Sequence, residues 1–294
     1  MEFNNGAELL KLCQETGFPI SQIMKKREVE FSKISETEVE KKMRTALEIM
    51  RNSAKEPLKN PKKSMGGLIG GEAKMLENYR LSGKSICGTV LSKAITYAMA
   101  VLEVNASMGV IIAAPTAGSS GVVPGVLFAL QEEFDLSDEE LLNGLYTAGA
   151  VGYLLMRNAS VSGAEAGCQA EVGAASAMAA AAAVEMMGGS PQMCLWAATG
   201  ALSNLLGLVC DPIAGLVEAP CQSRNSIGAS NALICAEQAL AGIHQIIPFD
   251  EMAEAMYHVG RCLPFELRES ALGGCAGTTS ACEKSCKIFG NTEE

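Results

Sequence analysis

The sequence predicts a mainly α fold, and three observations carry that prediction. Aromatic residues make up only 5% of the chain, while Gly (30), Met (15) and Ala are plentiful, and small side chains let helices approach closely. From Lys74 onward most segments have helical spacing or unbroken helix-forming composition. Runs of β-branched residues are short, Val110-Ile111-Ile112 being one, so a large sheet is not expected. No fixed-period repeat is present. With 294 residues and 48% apolar composition, the chain can bury a sizeable core without disulfides or metals as staples.

The elements follow in order. Ala7 to Cys13 reads as a helix, and Gly17-Phe18-Pro19 breaks it. Ser21 is a candidate N-cap, and Ser35, with Glu38 three residues on, opens a charged amphipathic segment that runs to Met50. Residues 53–71 change character, with Pro57, Asn60, Pro61, Lys62, Lys63, Gly66-Gly67 and Gly70-Gly71 marking a loop. That loop separates an N-terminal helical arm, residues 1–58, from an all-helical main body, residues 59–294. The arm reads as a solvated helical pair resting on the core, with a partner-docking surface as the alternative. Helical candidates in the body are 87–104, 122–133, 138–157, 163–187, 192–208, 226–242 and 250–261. Ser137 with Glu140 is a capping-box candidate.

Charge and cysteine usage exclude several classes. Lys and Arg number 23 against 33 Asp and Glu, a net of −10, which argues against a nucleic-acid binder. The imbalance is uneven: residues 1–63 hold 13 basic and 10 acidic residues, and residues 64–294 hold 10 and 23. The N-terminus Met1-Glu2-Phe3-Asn4-Asn5 has neither the basic nor the apolar stretch of a signal peptide, which predicts a cytoplasmic chain. Its 11 cysteines are then expected as reduced thiols, metal ligands or small buried hydrophobes rather than disulfides. The uncharged stretches 104–131 and 186–210 are interrupted by Gly and Pro, so a buried core is favoured over membrane spans.

Familiar catalytic motifs are missing. There is no phosphate loop and no G-x-G-x-x-G, and the two histidines, His244 and His258, sit in apolar sequence predicted to be helical. Lysine is absent between Lys93 and Lys284, which disfavours a Schiff-base lysine, and Arg157 is the one basic residue across 104–209. A metal would be the simplest source of positive charge. Cys168, Cys210 and Cys221 sit next to helix breaks or polar sequence, Cys210 and Cys221 flanking Pro212 and Pro220. Grouped thiolates bind soft metals and iron–sulfur clusters, although their spacing here is no local metal motif. Cys13, Cys87, Cys194, Cys235 and Cys262 read as buried hydrophobes, and Cys275, Cys282 and Cys286 are ambiguous.

The segments Ala113 to Gly125, Gly163 to Gly173, Cys210 to Asn225 and Leu267 to Gly274 closely resemble the iron–sulfur-dependent L-serine dehydratases. More narrowly, the chain resembles the α subunit of the two-subunit type of anaerobic and Gram-positive bacteria. The likeness extends through the arm and the Lys63 to Gly71 loop. It implies a 4Fe–4S cluster held by Cys168, Cys210 and Cys221, with an open iron acting as Lewis acid on the hydroxyl of L-serine. It also implies a separate β subunit, an oligomer, and products pyruvate and ammonia. A relative acting on threonine or cysteine is the alternative; from other classes, a helical membrane protein or a zinc-binding module is.

On this reading the Thr116, Ala117, Gly118, Ser119, Ser120 and Gly121 loop offers backbone N–H groups and hydroxyls to a carboxylate. Ser64, Gly66 and Gly67 form a similar candidate. Arg224 would hold the substrate carboxylate or neutralise the cluster, and Asn225 would bond substrate or a cluster sulfur. Glu165, three residues before Cys168, is the candidate general base if the segment is one helix, with Lys74 or a group on a partner chain as alternatives. The fourth cluster position is left unassigned among Cys275, Cys282, Cys286, water and substrate.

Overall fold

The computed structural model describes residues 1–290. Thirteen α-helices and no β-strand are found among the described residues. An opening group comprises α1 (Gly6–Thr16), α2 (Ile20–Ser32) and α3 (Glu36–Lys59). It is followed by α4 (Glu72–Leu81), α5 (Gly88–Ala106), α6 (Val122–Phe134) and α7 (Asp138–Asn158). Then come the single turn α8 (Gly163–Ala166), α9 (Ala174–Met186) and α10 (Pro191–Asn204). The chain closes with α11 (Cys221–Leu240), α12 (Phe249–Cys262) and α13 (Thr279–Phe289).

Helix α9 is the axis. Its sequence AASAMAAAAAVEM has no polar face, and every residue but Glu185 is buried. A helix apolar all round must be enclosed, and α6, α7, α10 and α11 enclose it. Alanine forms helix at no side-chain entropy cost and leaves room for neighbours to close in. On α7, Gly144 and Gly152 face Met186 and Met178, and a Cβ at Gly144 would stand 2.7 Å from the Met186 sulfur. Helix α2 packs on α7 and α3 on α5, so Phe3, Leu9, Ile20, Ile23, Leu47 and Met50 of the arm share one continuous core with the body.

Several local expectations meet their structure directly. Ser35 accepts from the Glu38 N–H, and Ser137 with Glu140 forms a complete capping box. Others shift. Pro19, not Ser21, is the N-cap of α2; Ser21 lies inside the helix, where its N–H donates to Glu185. The loop expected at 53–71 starts only at Asn60, because Ser53, Ala54, Pro57 and Leu58 are buried against the core and extend α3. The helix expected over 163–187 is broken at Gly167, and α11 begins at Cys221, five residues earlier than expected. Cys262 is exposed and Cys87 only half-buried, and His244 lies in the loop between α11 and α12 rather than in a helix. No helix among the described residues is long and apolar enough to cross a membrane.

Candidate active site

Three loops meet below the N-terminal end of α9, and each brings one cysteine. Gly167, at φ 76°, turns the chain out of α8; a Cβ there would lie 2.8 Å from the Leu208 carbonyl oxygen. Cys168 follows, leading into a single π-turn, Gln169–Gly173, that feeds α9. Such wide turns recur at functional sites because they re-aim side chains without ending the helix. Cys210 lies in an extended segment paired with Arg268 in an isolated parallel bridge: Cys210 N–H donates to the Leu267 carbonyl (2.9 Å), and Glu269 N–H to the Cys210 carbonyl (2.7 Å). Cys221 is the first residue of α11, where unpaired backbone N–H groups favour negative charge.

These thiols are 4%, 3% and 9% exposed, and none is in a disulfide. Cys168, Cys210 and Val172 form their own small buried cluster, flanked by Leu205 and Leu208. A hydrogen bond with Cys168, then burial and the facing Glu171, hold the Cys210 thiol far above the ordinary range. Burial first, then Cys168 and Glu171, push Cys221 up to about 12, with Arg224 pulling the other way. Thiols held protonated in this way become ligands only when a strongly positive group replaces their protons. Among the described residues no three His, Cys, Asp or Glu side chains are already gathered closely enough to hold a metal ion.

The carboxylate among the thiols is Glu171. Its Oε2 lies 3.7 Å from the Cys210 sulfur, and its Oε1 accepts from Thr116 Oγ1 at 2.8 Å. Burial raises its carboxyl above the usual range, against the pull of the Thr116 bond. Glu165, the candidate from spacing, is exposed and accepts from Ser160 instead. Spacing favoured Glu165 because it assumed an unbroken helix; the left-handed Gly167 ends α8 before Cys168, so the shared face does not exist. Lys74 lies half-buried on α4, away from this group of contacts.

The Thr116 to Gly121 loop is beside the thiols. Thr116 Oγ1 is also 3.1 Å from Ser119 Oγ, and a Cβ on Gly118 would stand 3.2 Å from Glu171 Oε1. Ser119 and Ser120 are fully buried, while Ala117 is exposed. Gly121 N–H donates to Asn225 Oδ1 at 2.9 Å, and Asn225 Nδ2 donates to the carbonyls of Gly118 (2.7 Å) and Cys221 (2.9 Å). Asn225 therefore ties the loop to the cysteine-bearing end of α11. Gly121 sits where a Cβ would strike the Ala98 carbonyl oxygen.

The other two candidates already have partners within the chain. Arg224 Nη1 is 2.6 Å from Asp211 and donates to the Val209 carbonyl at 2.7 Å. Burial alone would raise Asp211, but the Cys275 N–H and Arg224 outweigh it and hold that carboxyl below its usual range. The Ser64 to Leu68 loop is filled by Glu218, which accepts from Ser64 Oγ (2.6 Å), Gly66 N–H (2.6 Å) and Leu68 N–H (3.0 Å); Gly67 makes the turn at φ 70°. Cys275 N–H bonds Asp211 at 2.6 Å, next to Cys210, while Cys282 and Cys286 are exposed on α13. Asp211, Glu218, Arg268 and Glu171 are thus the residues that sequence reasoning passed over. Glu171 lay within a segment already singled out, and the scarcity of basic residues was the available signal for Arg268.

Known proteins resemble this chain along nearly its whole length. The serine dehydratase alpha chain family matches residues 15–276. The chain is 48% identical over 288 residues to the probable L-serine dehydratase alpha chain of Bacillus subtilis, covering 98% of this chain and 96% of that one. It is 45% identical over 275 residues to the L-serine dehydratase alpha chain of Peptoniphilus asaccharolyticus, 94% of each. Against L-serine dehydratase 2 of Escherichia coli it is 36% identical over 293 residues, which cover 96% of this chain but 63% of that longer protein. The chain belongs to the serine dehydratase alpha chain family, a family of carbon–nitrogen lyases.

Proposed function

We propose that the chain is the catalytic α subunit of an iron–sulfur-dependent L-serine ammonia-lyase that forms pyruvate and ammonia. One observation carries this reading: three buried thiols from distant parts of the sequence are close enough to act on one another, Cys168 bonding Cys210 and facing Cys221, with Glu171 3.7 Å from the Cys210 sulfur. The donor set suits a 4Fe–4S cluster in its chemistry, since it is all thiol and free of disulfides. Cys168, Cys210 and Cys221 would be its ligands. When bound, such a cluster supplies Lewis acidity toward the hydroxyl that leaves Cβ.

The chain's own residues would do the rest. Glu171, against Cys210 and fixed by Thr116, is the group best placed to take the Cα proton; Glu165 and Lys74 lie further out. Loss of that proton and of the hydroxyl leaves aminoacrylate, which becomes an imine and hydrolyses. Thr116, Ser119 and the N–H groups of the Ala117 to Gly121 loop would orient the substrate, with Asn225 keeping the loop in register. Arg224, through Asp211, and Ser64, Gly66 and Gly67, through Glu218, would brace the segment that carries Cys210 and Cys221.

A separate β subunit is part of the reading, supported by the alpha-chain names of its relatives and by the greater length of the Escherichia coli protein. The test is anaerobic reconstitution with iron and sulfide, with and without the partner chain, followed by a serine-to-pyruvate assay. Brown protein with broad visible absorption and pyruvate formation are expected. Colourless protein, or brown protein inert toward serine with its partner present, would end the proposal.

A further inference from the structure

Resting on the reading that the chain acts on L-serine, we infer that Arg268 receives the substrate carboxylate. The bridge with Cys210 fixes its backbone beside one of the three thiols, and bridge partners send their side chains to the same face. The flanking backbone is held in uncommon geometry, with Glu269 at φ 61° and Ala271 at φ 59°, as happens where a site demands a particular placement. The Arg268 guanidinium lies along α8, its Nη1 donating to the Glu165 carbonyl at 3.3 Å. That turn begins at Gly163, where a Cβ would stand 3.0 Å from the Cys210 sulfur and 2.6 Å from Glu171 Oε2.

Arg268 differs from the other cation here in having charge to spare. Arg224 is neutralised by Asp211. Arg268 has no carboxylate within ion-pair distance among the described residues, and its buried Nε has no hydrogen-bond partner. A buried Nε–H left without an acceptor is costly, and an arriving carboxylate removes that cost through a charge-assisted pair with the fork. Positive charge is otherwise scarce: between Lys93 and Lys284 the remaining basic residues are Arg157 and Arg261, at the ends of α7 and α12.

The test compares reconstituted wild-type enzyme with its partner chain against Arg268→Gln and Arg268→Lys, using L-serine and the uncharged analogue L-serinamide. Arg268→Gln is expected to raise KM for serine on the order of 100-fold, with kcat within about tenfold, as loss of a charge-assisted carboxylate contact requires. Its preference for serine over serinamide should collapse, the serine-induced rise in Tm should disappear, and iron content and visible absorption should be unchanged. Arg268→Lys, which keeps the charge and loses the fork, should fall between the two. Unchanged KM and an intact serine-induced Tm rise in Arg268→Gln would overturn the inference. So would a loss of iron with KM unchanged, since that would make Arg268 a support for Cys210. Wild-type enzyme blind to serine in both assays would instead remove the proposed activity itself, and this role with it.

Discussion

Glu165 and Glu171 flank the same glycine, and Gly167 decides which of them meets the thiols. Only the folded chain makes that choice visible, because a left-handed residue rotates everything after it out of the helical register that spacing assumes. Two predictions belong at this scale. Cys168→Ala, Cys210→Ala and Cys221→Ala are each expected to lose bound iron and serine turnover, while Cys194→Ala, buried between α10 and its neighbours, keeps both. Iron quantitation beside the pyruvate assay checks this, and a Cys168→Ala protein with a full iron complement would remove that residue from the ligand set. Glu171→Gln is expected to keep its iron and lose roughly 10²–10⁴ in kcat, the range for a proton-transfer group, with Glu165→Gln far milder. Equal losses in the two variants would contradict the assignment to Glu171.

At the scale of elements, α9 shows how composition becomes architecture. Its alanines were legible as helix former and core, but which helices enclose it was not, since an all-apolar helix has no face that points to a particular neighbour. The close packing predicts that Ala180→Leu, at a fully buried position, costs about 1–3 kcal/mol through overpacking, read as a lower urea midpoint. The one charged residue of α9 makes a different prediction. Burial raises the Glu185 carboxyl above its usual range, against bonds from the Ser21 N–H and the Thr147 hydroxyl. The folded protein then keeps a proton that the unfolded chain releases near pH 4.3, so this group lowers stability as pH rises from there through its folded value. Glu185→Gln should match the wild type near pH 4 and become the more stable of the two as pH rises; urea midpoints across that range measure the gap, which must widen with pH.

Across the whole molecule, the arm and the body share one core, because α2 and α3 place their apolar stripes on α7 and α5. The charge pattern that marked the arm in the sequence survives as ion pairs that join it to the body, among them Arg51 with Asp138 and Lys55 with Glu132. Exposed pairs of this kind contribute little individually, so the shared apolar core is what holds the arm in place. Helix content, the two capping serines at 35 and 137, the setting of Cys168, Cys210 and Cys221 beside helix breaks, and the family were all determined by the sequence alone, because each rests on residue type within a short window or on resemblance along the chain. The tertiary structure decided the approach of Cys168 and Glu171 to Cys210, the filling of the Ser64 loop by Glu218, the pairing of Arg224 with Asp211, and the placing of Arg268 with no carboxylate partner among the described residues. Each of these joins segments distant in sequence, where no local propensity acts and only packing and the matching of buried charges select the partner.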